Sequence, residues 1–272
     1  MLAASILCIL TLALEEFFLR RSGLGHGTPV WVTAQDPSAA VERSRRLVKR
    51  YKLIKLMQFL SFALLWVLAG GRAGRALMTS SFGQVTTQLL LMQAARALGR
   101  QVLRKRTFLG ILGIQQGALA LIVPFLAPGT PPPEVHVSPV GWLAGLSLSF
   151  ALLAMGMAFT AVVVYFIRLS PAGERVALSD LPALFSSESM VRKAMLLALP
   201  CLAVAVALLL LEPARGSRAV LAVSAAGASV LVGRLLQLDK GRLHHPAANA
   251  ASALAYLLLL GAVLGGLTDL HA

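Results

Sequence analysis

A chain of 272 residues that is 57% hydrophobic and only 13% charged is not an ordinary soluble domain, in which about a quarter of residues carry charge. The formal charge of +14 raises the question of nucleic acid, but Lys and Arg gather beside apolar runs, where they set membrane orientation, so no nucleic-acid partner is expected. The apolar residues form long Ala/Leu/Gly-rich blocks without the alternation of membrane barrels. The expected fold class is therefore all-α: one polytopic transmembrane helix bundle covering residues 1–272.

Eight spans are expected at about 2–19, 53–70, 76–95, 107–127, 140–167, 194–212, 217–236 and 248–268. The first begins without a basic n-region and leads into Glu15-Glu16-Phe17-Phe18-Leu19-Arg20-Arg21, so it reads as a retained span rather than a cleaved signal. Glu15 and Glu16 are the acidic residues inside an apolar run. They suit either an interfacial ion pair with Arg20 and Arg21 or the binding of a proton or cation.

Residues 20–52 form a basic cytoplasmic loop, in which Asp36-Pro37-Ser38 has the pattern of a helix start. The basic stretch Arg43–Lys55 continues that helix into the second span and suits anionic lipid of the inner leaflet. The third span is the least hydrophobic. Ser80, Gln84, Thr87 and Gln88 recur at i, i+4, i+7 and i+8 on one stripe; Phe82, Val85, Leu89 and Met92 line another. Gln115 and Gln116 of the fourth span can face the same region. Polar side chains avoid lipid, so the stripe should line either a path for a solute or ion, or a hydrogen-bonded helix interface.

With the N-terminus outside, all of the 25 Lys and Arg residues but Arg72, Arg75, Arg215 and Arg218 fall in inner loops, Lys55 and Arg96 among them. Both termini are then outside the cytoplasm. Trp66 and Trp142 fall near the outer interface. The outer loop Pro128–Pro139 is stiffened by its prolines, and Pro124 and Pro200 lie within spans. Cys8 and Cys201 sit in apolar segments as packing residues. Gly261 and Gly265 form a GxxxG pair that suits close helix packing, within this bundle, in a homo-oligomer or against a partner subunit.

Glu15-Glu16-Phe17-Phe18-Leu19-Arg20 resembles the EExxxR motif of the CAAX-type (CPBP-like) intramembrane proteases, and His245-Pro246-Ala247-Ala248-Asn249 resembles their HxxxN motif. The resemblance implies a carboxylate that activates water at Glu15 or Glu16, with His245 and Asn249 stabilising an oxyanion. It covers about eleven residues. The family's intervening FxxxH motif is missing: no histidine occurs between His26 and His136. His244 and His245 also suit a helix connection ended by Gly241 and restarted at Pro246. No metal-binding or nucleotide motif occurs, so no cofactor and no metal are expected.

Three functions follow, in order of preference: a transporter or channel using the third-span stripe; a non-catalytic membrane subunit or scaffold; and an intramembrane protease. Arg outnumbers Lys and Ala and Leu abound, a bias of GC-rich genomes that suggests a bacterial inner membrane.

Overall fold

A computed structural model describes residues 1–22, 37–98, 106–127, 138–170, 184–211 and 246–265. They form seven α-helices: α1 (Leu2–Ser22), α2 (Pro37–Ala73), α3 (Ser81–Leu98), α4 (Arg106–Leu126), α5 (Pro139–Leu169), α6 (Leu184–Leu211) and α7 (Pro246–Leu264). No strand occurs among the described residues. Six of the helices, all but α3, are long and apolar enough to cross a membrane. The expected seventh span, 217–236, lies outside the described residues.

The side-chain pattern is that of a bundle in lipid. On α1, Leu2, Ile6, Leu10, Leu14 and Phe17 are exposed, while Ser5, Cys8, Thr11 and Glu15 are buried. On α2, Leu53, Leu56, Leu60, Leu64 and Val67 face outward, while Gln58, Ser61 and Ala69 face inward. A water-soluble helix would present the reverse arrangement. Large apolar groups outside and small or polar groups inside stabilise a helix whose solvent is hydrocarbon.

α2 begins at Pro37 and continues unbroken to Ala73, joining the basic stretch to the second span as the sequence leads one to expect. Its 37 residues amount to roughly 55 Å, well beyond a hydrocarbon thickness of about 30 Å. The basic end, with Arg45, Arg46, Lys49 and Arg50 exposed, therefore extends past the apolar part. Arg46 is paired there with Glu42, one turn away.

Gly74 ends α2 in the left-handed region (φ 57°), and a 3-10 turn, Gly74–Met78, leads to α3. The helix expected from 76 as a third span is not among the six long and apolar enough to cross. It starts instead at Ser81, because residues 74–78 are committed to the tighter turn and Ser80 caps the new helix. The Ser80 Oγ accepts the Gly83 N–H at 3.2 Å. The turn is not a surface loop: Ala76, Leu77 and Met78 are buried. α5 starts from a similar device, with the Ser138 Oγ accepting the Gly141 N–H at 3.0 Å and Pro139 in the first turn.

α3 is enclosed by α2, α4, α5 and α7, and every residue from Ser81 to Leu89 is buried. This explains its low hydropathy: a helix sheathed by other helices needs no lipid-facing side. Both expected stripes are thus interior, the polar one and the Phe82/Val85/Leu89/Met92 one. α1 packs against α2 and α4; α5 packs most extensively with α6 and also carries α7. Pro124 and Pro200 lie within α4 and α6.

Candidate functional site

Two polar layers occupy the bundle. The first lies where the C-terminal ends of α1 and α3 meet the first part of the apolar stretch of α2. There the Glu15 carboxylate is buried between two cations. Arg96 Nη2 donates to Glu15 Oε2 at 2.7 Å, and Lys55 Nζ is paired with Glu15 Oε1. The Tyr51 hydroxyl donates to Oε1 at 3.1 Å and Gln58 Nε2 to Oε2 at 2.6 Å. Glu15 thus meets four donors, about as many as a carboxylate can accept. Only 2% of the Glu15 side chain and 3% of that of Arg96 is exposed, against 17% for Lys55, whose ammonium is nevertheless buried.

Three glutamines close this layer into a ring. Gln58 Oε1 accepts from Gln93 Nε2 at 3.1 Å, Gln93 Oε1 from Gln116 Nε2 at 3.5 Å, and Gln116 Oε1 from Arg96 Nη1 at 2.6 Å. Arg96 then returns to Glu15. A guanidinium only donates and a carboxylate only accepts, so the charged pair fixes which way all three amides point. The circuit ties α1, α2, α3 and α4 together.

The second layer centres on the Tyr256 hydroxyl of α7. It accepts from Gln88 Nε2 at 3.1 Å and from Gln115 Nε2 at 2.7 Å. The Gln115 Oε1 in turn accepts the Thr160 hydroxyl at 2.8 Å, and Gln88 Nε2 also reaches the Leu152 carbonyl at 3.4 Å. Gly156 keeps this junction open: a Cβ there would lie 3.1 Å from Gln115 Nε2 and 3.4 Å from both Gln88 Nε2 and the Tyr256 hydroxyl. Tyr256→Phe removes the shared acceptor: the half-buried Gln115 amide loses its partner, and the buried Gln88 amide keeps only the Leu152 carbonyl. We expect it to destabilise the protein by about 2 kcal/mol, at 1–3 kcal/mol per buried unsatisfied group, read as a lower thermal midpoint in detergent.

The sequence-predicted residues divide as follows. Gln88, Gln115 and Gln116 enter these layers. Thr87 accepts the Trp66 indole N–H at 2.9 Å and lies 3.7 Å from Met78 Sδ, and Gln84 reaches the Met78 carbonyl at 3.4 Å. Ser80 is half-buried and serves as the helix cap. Glu15 takes partners from α2 and α3, while Glu16 is half-buried beside it. Lys55 and Arg96, counted with the inner loops, lie in helices with their charged groups turned into the bundle. His245 lies outside the described residues. Asn249 is buried near the start of α7, which packs against α5 and α3, whereas Glu15 stands on a helix that packs against α2 and α4. Gly261 and Gly265 are exposed, with no described neighbour near a Cβ at Gly261.

Lys55, Arg96, Tyr51, Gln58, Gln93, Thr160 and Tyr256 were not anticipated. Two had a legible signal. Arg96 continues the Val85/Leu89/Met92 face at i+11, i+7 and i+4, and Lys55 lies three and seven residues before Gln58 and Phe62 on the inward face of α2.

Compared with family models, with curated proteins and with solved structures, the chain matches none. Its several long apolar helices are those of a multi-pass membrane protein, and the site must be interpreted from its own chemistry.

Proposed function

We propose that this is an integral membrane transporter or channel-like protein that moves a small solute or ion along the polar interior of α3. The observation that carries this is the charged group Glu15–Lys55–Arg96 buried inside the bundle. Ionisable residues in such a position are costly and are characteristic of substrate and ion pathways. The polar positions on α3 support it, because Gln84, Thr87, Gln88, Gln93 and Arg96 extend over roughly 18 Å, more than half of a hydrocarbon core. Glu15 is the candidate ion- or proton-binding group, with Glu16 beside it. The orientation we infer places both termini outside the cytoplasm and eight spans in a bacterial inner membrane. The basic end of α2 then faces the cytoplasm, where its exposed arginines and lysines suit anionic lipid.

Proteoliposomes carrying a trapped pH-sensitive dye and an inward sodium phosphate gradient test this. Wild-type protein should dissipate the gradient, and Glu15→Gln, which keeps the shape but removes the charge, should slow it at least tenfold while remaining monodisperse. Equal rates for wild type, Glu15→Gln and empty vesicles would remove Glu15 from any path.

A second proposal, a non-catalytic subunit or scaffold, is supported by the exposed Gly261 and Gly265 pair on α7, a surface on which another helix can approach closely. Stable co-purification of a second membrane protein, lost in Gly261→Leu, would favour it. The protease resemblance gains no such support. A general base needs a free lone pair, and the Glu15 oxygens are already occupied by four donors.

A further inference from the structure

The charged layer is short of acceptors, not donors. Among the described residues it holds two cations and one carboxylate. The carboxylate is saturated, and the amide oxygens of Gln58, Gln93 and Gln116 each already accept one bond from a neighbour. On the donor side, the Arg96 Nε is buried without a partner, and the Lys55 ammonium has none beyond its pairing with Glu15. An ammonium carries three N–H groups and a guanidinium five, so several are left over. A buried excess of positive charge is unfavourable until an anion offsets it.

We propose that Lys55 and Arg96 form a binding site for a phosphate-type oxyanion. A tetrahedral oxyanion supplies several acceptor oxygens for the Arg96 Nε–H and the remaining N–H groups of Lys55. The shortest approach is past the Lys55 side chain, which is 17% exposed although its ammonium is buried. Beside it Lys52 is exposed, and Lys49, Arg50, Arg46 and Arg45 continue along α2, a basic track that raises the local concentration of anions. The neighbours Leu53 and Leu56 are exposed apolar residues, so this approach lies where lipid chains and headgroups meet. Either a free phosphate or the phosphate of an anionic lipid can reach it.

This assigns a ligand class to the cluster on which the transport proposal rests. Binding without flux fails transport alone; flux without binding fails this site alone. The test is the thermal unfolding midpoint of the full chain in a phosphate-free detergent. One arm adds sodium phosphate against sodium chloride at matched ionic strength; the other adds mixed micelles of phosphatidylglycerol against phosphatidylcholine. At tenfold excess over half-saturation the midpoint should rise by about 3 °C or more. The rise should vanish in Lys55→Gln, persist in Lys55→Arg, and persist in Lys52→Gln, which lies outside the cluster. A response in the phosphate arm identifies a free oxyanion, and one confined to phosphatidylglycerol identifies the lipid headgroup. No rise in either arm, or an undiminished rise in Lys55→Gln, overturns the site. Should Lys55→Gln fail to fold, calorimetric titration of phosphate and of phosphatidylglycerol micelles into the native protein decides: saturable heat with one site per chain is expected for one of them, and its absence for both overturns the proposal.

Discussion

Glu15→Ala is expected to lower the thermal unfolding midpoint in detergent by on the order of 10 °C. The substitution takes away the counter-ion of two cations that cannot leave the bundle. Removing one member of a buried ion pair costs about 3–5 kcal/mol, because the remaining charge is desolvated and uncompensated. Here two charges are left, Arg96 being 3% exposed and Lys55 17%. At roughly 2–4 °C per kcal/mol for a chain of this size, a shift of that order follows. The ring opens as well: Gln58 loses its bond to Glu15 and keeps the one to the Thr11 carbonyl at 3.1 Å. A triple variant, Glu15→Leu with Lys55→Met and Arg96→Met, should recover most of the loss. Replacing a complete buried charge group by apolar residues is often neutral, in contrast to breaking one. The comparison separates electrostatics from packing. If Glu15→Ala keeps the wild-type midpoint, the three groups do not share one buried site.

Much of the fold was legible because its causes are periodic. Apolar blocks of bilayer length dictate helices, and six of the eight expected spans coincide with helices fit to cross a membrane. The polarity of α3 was legible too, and its cause is burial: Gln84, Thr87 and Gln88 face other helices, and only half-buried residues such as Leu90, Leu91, Ala94 and Ala95 are turned partly outward. The charged layer was hidden by the rule that located the loops. Counting basic residues as markers of the inner side assigns Lys55 and Arg96 to connections. Yet both continue the inward faces of their helices, where Ile54, Gln58 and Phe62 on α2 and Leu89 and Met92 on α3 are buried. Helical phase carried that information and the charge count did not. Their common partner Glu15, far away in the chain, cannot be read from either segment by itself.

Gly83→Ala and Gly145→Ala should be among the most damaging single changes in the described bundle, and for a reason no periodicity reveals. The 3-10 turn between α2 and α3 presents carbonyl groups to these two glycines. A Cβ at Gly83 would fall on the Leu77 carbonyl, and one at Gly145 on the Met78 carbonyl. The obstructing atoms are backbone, so no rotamer change relieves the overlap. The turn would have to withdraw from α3 in one case and from α5 in the other. Withdrawal would expose Leu77 and Met78 and disturb Met78's contacts with Gln84 and Thr87. Overpacking a side chain that can shift costs about 1–3 kcal/mol; a backbone obstruction belongs at or above that upper end. Gly110→Ala and Gly117→Ala on α4 are the controls. Nothing lies within 4 Å of a Cβ at either position, so alanine should be neutral or raise stability slightly through its better helix propensity, about 1 kcal/mol at most. The yield of monodisperse protein after mild heating measures all four. Alanine tolerated at 83 and 145 as well as at 110 and 117 would mean that the turn does not rest on α3 and α5. Loss confined to 83 and 145 would establish that the short connector holds α2, α3 and α5 in register beneath the polar layers.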